Sequence, residues 1–255
     1  MIKFIAVIAG EPNSINSEII VKAWKKIKIK NKLFIIGNYK FLKNQINKIG
    51  LNIKIIEINS LKQIKDLKKL YILNVPFKYK SLFENNVLDT KKYLFKCLDV
   101  AHDLAINKKI KGFINAPINK KIFSKKLLGV TEYLANKNNI KNKEVMMIYN
   151  KNLSVVPLTT HMEIKNVTNN IKSSLIREKI LTLNRSYSKL FKKKPKIAIL
   201  GLNPHNSENR KDSVENIIIK PTVEKLIKLG VNIKGPFPSD TVFNNKKKIG
   251  YNVIV

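Results

Sequence analysis

Short apolar runs alternate with longer stretches of helical periodicity along most of this chain. Runs at 3–9, 32–36, 53–56, 112–115, 145–149, 153–157, 197–200 and 231–233 have the length and β-branched content of buried strands. Between them lie patterns such as 88–106, where Leu94, Leu98, Ala101 and Ala105 recur at helical spacing, and 170–191, which ends at a lysine-rich turn over 192–196. Strands alternating with helices predict βα units around mainly parallel sheets, hence an α/β fold. The closing Tyr251-Asn252-Val253-Ile254-Val255 reads as a strand entering a core, with no turn or cap after it. On that pattern, further sequence is expected beyond Val255.

Two of the three histidines sit just past such runs. One ends Val155-Val156-Pro157-Leu158-Thr159-Thr160-His161. The other ends Ile197-Ala198-Ile199-Leu200-Gly201-Leu202-Asn203-Pro204-His205. Open α/β sheets present their ligand-binding residues at the carboxyl ends of their strands. Neutral imidazole is a favoured ligand of divalent metals. His161 and His205 are therefore read as part of a metal site. The third histidine, His102, falls inside the 88–106 helix pattern and is assigned a structural role.

Other strings fit either a structural or a chemical reading. Gly10-Glu11-Pro12-Asn13-Ser14 follows the first strand and opens a helix, with Asn13 or Ser14 as cap or as part of a ligand loop. It lacks the G-x-G-x-x-G of dinucleotide-binding turns. Asn115-Ala116-Pro117-Ile118-Asn119-Lys120 repeats the arrangement, and Lys120 is either solvated or turned to an anion. Thr131-Glu132 suits a helix start. In Gly235-Pro236-Phe237-Pro238-Ser239-Asp240-Thr241, Asp240 is an N-cap on one reading and a metal-site or substrate carboxylate on the other.

Composition narrows the function classes. The formal charge of +33 invites a nucleic-acid role. Yet of 50 basic residues only Arg177, Arg185 and Arg210 are arginine, the side chain that base readout favours. Lysine is spread along the whole chain, which predicts a solvated surface with non-specific adhesion to polyanions and no specific nucleic-acid site. Cys97 is the only cysteine, so no intrachain disulfide forms, in keeping with a reducing cytoplasm. No apolar stretch approaches the roughly 18–20 residues of a membrane-spanning helix. A soluble, cytoplasmic protein is expected.

Taken in order, these strings resemble the 4-hydroxythreonine-4-phosphate dehydrogenase family of vitamin B6 biosynthesis. That family carries G-[DE]-P-A-G-I-G-P-E, [ST]-[AG]-P-[IV]-[NH]-K, G-H-T-E-[YF], T-T-H, G-L-N-P-H-A-G-E and G-P-x-P-A-D-T-x-F; the matches run collinearly from Gly10 to Phe243. The resemblance implies an isocitrate/isopropylmalate-dehydrogenase-like fold of two α/β/α domains, over 1–127 and 128–255. It also implies a homodimer with shared active sites, NAD as oxidant, and a divalent metal (zinc, magnesium or cobalt) held by three histidines. Carried over residue by residue, His161 and His205 become metal ligands and Thr131 a substrate contact, with Lys120 beside it and Asp240 a ligand or a support to one. Val130 stands where the family has a substrate-binding histidine, and Ser14, Asn16, Ser17, Asn206 and Ser207 also depart from the motifs. The family continues past the strand matching 252–255 into a Tyr-His-Asp-Gln segment that carries its third metal histidine, and the first domain would be completed by that segment. The implied activity is oxidation of 4-phosphooxy-L-threonine. The alternatives are a dehydrogenase of phosphorylated four-carbon sugar acids (threonate or erythronate 4-phosphate) and a shortened, non-catalytic remnant.

Overall fold

A computed structural model describes residues 4–27, 33–123, 129–140, 143–160, 162–206, 210–243 and 250–255. The chain divides into two compact units, Met1–Gly129 and Val130–Val255.

The first unit is built on a five-stranded sheet in the order β3-β4-β2-β1-β5. Its strands are β1 (Phe4–Ile8), β2 (Leu33–Gly37), β3 (Ile55–Ile58), β4 (Leu70–Asn74) and β5 (Ile110–Asn115). All four pairings are parallel. Phe34, Ile35 and Ile36 are each at most 2% exposed, so β2 is covered on both faces, as parallel sheets require. Val21 and Trp24 of α1 (Asn16–Lys26) and Leu42 and Ile46 of α2 (Tyr39–Lys48) pack with Ile35, Leu70 and Ile72. The long α3 (Val87–Ile106) runs along β1, β2 and β5. Its buried Tyr93, Leu94, Cys97, Leu98 and Ala101 form one stripe at helical spacing. Asn86 caps its first turn by accepting from the Asp89 amide at 2.8 Å.

The second unit contains a four-stranded sheet in the order β6-β9-β7-β8, again parallel throughout. These strands are β6 (Ser154–Val155), β7 (Ile197–Leu200), β8 (Ile233–Phe237) and β9 (Val253–Ile254). Ile176, Ile180 and Leu183 of α6 (Ser173–Phe191) and Val223 and Leu226 of α7 (Lys220–Lys228) bury Ile197, Ile199, Ile233 and Val253. The unit also holds α4 (Val130–Lys137) and α5 (Ile164–Asn170). Both units are thus α/β with parallel sheets, as the alternating pattern requires.

Four local expectations change. The run at 145–149 is not a strand; it contributes one antiparallel bridge, Ile148 to Val155. The run Leu70–Asn74, not picked out by periodicity, is β4. The helix expected over 170–191 is α6, which starts three residues later, at Ser173: a separate α5 ends at Asn170, Lys172 is extended, and the buried Ile171 turns into the core between them. Finally, neither Asn13 nor Ser14 is the N-cap of α1, a place taken by Ile15 without a side-chain bond. Ser14 Oγ accepts from the amide of Asn16, the first residue of α1, at 3.2 Å and donates to the Glu11 carbonyl at 2.6 Å, and Asn13 pairs with Asn85.

Candidate functional site

In the first unit the chain leaves β1 for β2 on one side and later places β5 on the other, so β1 and β5 flank a topological switch point. The loops leaving those two strands are laced together there. Glu11 Oε2 accepts from the Asn119 amide at 2.8 Å, and the Glu11 amide donates to the Pro117 carbonyl at 3.3 Å. Asn16 Nδ2 donates to the same carbonyl at 2.8 Å. The two proline-containing strings are therefore one structure. Lys120, next along, starts a short 3-10 turn (Lys120–Ile122) and is exposed.

In the second unit parallel pairing puts the carboxyl ends of all four strands at one edge. The loop after β7 carries His205, and the segment after β8 carries Asp240. His205 Nδ1 lies 3.4 Å from Asp240 Oδ2, with the imidazole 74% and the carboxylate 35% exposed. No helix begins at Asp240 among the described residues, so its carboxylate faces an imidazole and does not cap a helix. The two groups stand at ion-pair distance; a carboxylate that accepts from Nδ1–H would fix the ring and leave the Nε2 lone pair for a metal, which is how metal-binding histidines are commonly held.

The loop bearing His205 is itself fastened. Glu215 Oε1 accepts from the amides of Leu202 at 2.9 Å and Asn203 at 3.1 Å. The Gly201 amide donates to the Phe237 carbonyl at 2.9 Å. Asn206 adopts a left-handed conformation with φ 52°, and its Nδ2 donates to the Pro236 carbonyl at 3.1 Å. Beside this edge lies a cavity of about 370 Å³, lined in part by Pro157, Leu158, Thr159, Gly201, Leu202 and Ser239. Neither Glu215 nor the Asn206 tie was found by reading the sequence. The available signal was an acid beside the apolar stretch Ile217-Ile218-Ile219, ten residues beyond His205.

His161 lies outside the described residues; Thr159 and Thr160, just before it, follow β6 at the same sheet edge as the His205 loop. Val130, half-buried, opens α4, and Thr131, exposed, follows it. The structure thus brings together His205 and Asp240. Among the described residues no three His, Cys, Asp or Glu side chains gather closely enough to hold a metal ion. The donor chemistry at His205 nevertheless suits a divalent ion: an exposed imidazole backed by a carboxylate. Cys97 is not part of any such site. Burial pushes its thiol from 9.0 up to about 12, marking it as inert.

The family model described as pyridoxal phosphate biosynthetic protein PdxA matches residues 29–255. The 4-hydroxythreonine-4-phosphate dehydrogenase of Sulfurihydrogenibium sp. (strain YO3AOP1) is 34% identical over 251 residues, covering 95% of this chain and 76% of the relative. The enzyme of that name from Aquifex aeolicus is 32% identical over 252 residues, covering 96% and 77%. A relative from Oceanobacillus iheyensis named "Putative D-threonate 4-phosphate dehydrogenase" is 26% identical over 263 residues, covering 98% and 78%. Among solved structures, the 4-hydroxythreonine-4-phosphate dehydrogenase of Klebsiella pneumoniae superposes with a TM-score of 0.87 over 99% of this chain and 80% of its own. Its identity is 24%, so that likeness speaks to the fold, which is of the isocitrate/isopropylmalate-dehydrogenase-like kind. The curated relatives are named as dehydrogenases, a class of oxidoreductase, and the match to the family model spans most of the chain: it belongs to the PdxA family of pyridoxal phosphate biosynthetic proteins.

Proposed function

We propose that the protein catalyses the NAD-dependent, divalent-metal-assisted oxidation of 4-phosphooxy-L-threonine in pyridoxal phosphate biosynthesis. The product is a β-keto acid, which loses CO₂ to give 3-amino-2-oxopropyl phosphate. The observation that carries this reading is the His205–Asp240 pair at the carboxyl edge of a parallel sheet, in a chain of the PdxA family. His205 and His161 would hold the metal, with Asp240 fixing the His205 ring so that Nε2 points outward. A bound divalent cation supplies Lewis-acid stabilisation of negative charge on the substrate's oxygens, and NAD supplies the hydride acceptor. Thr131 would contact the substrate, and Lys120 would offer its ammonium to an anionic group. The working form is a cytoplasmic homodimer with shared active sites.

A second reading has its own support. The side chain of Val130 can neither donate nor accept a hydrogen bond where the family resemblance expects an imidazole, and one relative is named for D-threonate 4-phosphate. A site that has lost a polar contact to one substrate discriminates differently among its analogues. A phosphorylated four-carbon sugar acid is therefore the alternative substrate.

The test is NADH formation with each substrate in the presence of zinc, magnesium or cobalt. Turnover of 4-phosphooxy-L-threonine that falls at least a hundredfold in His205→Ala supports the first reading. Preference for threonate or erythronate 4-phosphate moves the assignment to the second. NADH formation with neither substrate, or activity indifferent to His205→Ala, overturns both.

A further inference from the structure

Among the described residues Glu215 is the one charged side chain in the fully buried class, at 2% exposure. An ionised carboxylate is costly to bury unless hydrogen bonds replace its water. Here two backbone amides do so, and they belong to consecutive residues, Leu202 and Asn203, of the loop that carries His205. Both bonds fall on one atom, Oε1. The acid sits where the backbone departs from α-helical geometry: Glu215–Ile219 is a π-turn, and the Lys220 amide donates to the Glu215 carbonyl, five residues back. Such turns are rare and recur at functional sites. The wider turn starts at the residue whose side chain grips the loop, and α7 follows directly from it.

We infer that Glu215 is a positioning residue for His205. By gripping the loop two and three residues ahead of the imidazole, it holds the ring against Asp240 and sets the direction of Nε2. The far side of the loop is pinned independently, by Asn206 to the Pro236 carbonyl, close in sequence to Asp240. Removing the Glu215 grip loosens the stretch between two ties that remain, the Gly201 amide to the Phe237 carbonyl and Asn206 to the Pro236 carbonyl, so the ring should swing away from its carboxylate and the fold should stay. This inference extends the metal role given to His205 above, but the placement of the ring can be read without any metal.

The first measurement uses metal-free protein at a pH where imidazole is neutral. Long-range proton–nitrogen spectra report which nitrogen of His205 carries the proton. Wild type should be enriched in the Nδ1–H form that faces Asp240. Glu215→Ala should revert to the Nε2–H majority of free imidazole, as should Asp240→Ala. Glu215→Gln keeps an acceptor oxygen at the same place and should resemble wild type. If Glu215→Ala does not fold, Glu215→Asp, one methylene too short to reach both amides, carries the same expectation. The second measurement is cobalt binding by calorimetry. Loss of a supporting contact behind a ligand typically weakens metal affinity by about 10–100-fold, and Glu215→Ala should fall in that range with Glu215→Gln within about threefold of wild type. An unchanged His205 tautomer in folded Glu215→Ala overturns the positioning role whatever cobalt does. A wild type that shows the tautomer yet binds no cobalt leaves that role intact and overturns the metal assignment.

Discussion

Asn16 and Pro117 stand 101 residues apart and meet across the head of the first sheet, where Asn16 Nδ2 donates to the Pro117 carbonyl at 2.8 Å. The same amide reaches the Glu11 carbonyl at 3.4 Å, so one side chain closes both loops of the switch point. Gly10 makes room for it: its φ is +77°, and a β-carbon there would lie 2.4 Å from Asn16 Nδ2 and 2.9 Å from the Pro117 oxygen. Asn16→Ala should destabilise the first unit by about 1 kcal/mol, the net worth of the hydrogen bond lost, since the Pro117 and Glu11 carbonyls keep the Glu11 amide and Ser14 Oγ as donors. Gly10→Ala should cost at least as much, since it adds a backbone penalty to a clash. Urea unfolding midpoints would measure both, and a midpoint unchanged in Asn16→Ala would refute the tie.

The Asp240 carboxylate should matter for metal affinity more than for folding. Asp240→Asn should weaken zinc or cobalt binding by about 10–100-fold with a thermal midpoint within a few degrees of wild type. His205→Ala should abolish most of the binding. Equal affinity in wild type and Asp240→Asn would show that the 3.4 Å pair is incidental.

Cys97 should be silent to thiol reagents and should make the fold sensitive to alkali. Burial raises its thiol to about 12, and burial followed by the neighbouring Cys97 raises the Tyr93 phenol well above 10.0. In both cases the unfolded chain loses its proton at a lower pH than the folded one. From about pH 9 upward the unfolded state therefore binds fewer protons, and stability falls as pH rises. Cys97→Ala should remove the part of that fall that begins near pH 9, while the part that begins near pH 10 persists. Denaturant midpoints between pH 8 and 11 would show it; a flat wild-type profile would contradict the shifts.

Leu226 is fully buried against the second sheet's strands. Leu226→Ala should cost about 2–5 kcal/mol by combined loss of burial and cavity formation. The exposed Leu229, 58% accessible on the next turn, should change stability by less than about 0.5 kcal/mol when replaced. The contrast within one chain segment is the test.

The +33 charge should bind polyanions without reading them. DNA affinity should fall steeply between low and moderate salt and should not depend on sequence, since lysine neutralises phosphate without recognising bases. A competition experiment in which one duplex wins by about a thousandfold at physiological salt would overturn this.

Strand runs such as Ile197–Leu200 and the stripe of Leu94, Leu98 and Ala101 were legible because burial on a sheet or along a helix leaves a local period in the sequence. The alternation of those periods determined the α/β class, and six collinear strings determined the family. Where several elements compete, the period failed. Leu70–Asn74 became a strand between β3 and β2 because its neighbours supply both edges, while the equally apolar 145–149 obtained only one bridge. What only the tertiary structure decided is which distant residues meet. Nothing local to Glu11 points to Asn119, nor to His205 points to Asp240, because sequence separations of 108 and 35 residues are closed by sheet order, which no local pattern encodes. Glu215 is the clearest instance. Its charge beside an apolar run reads as a surface acid, and only the fold supplies the two amides that let it be buried.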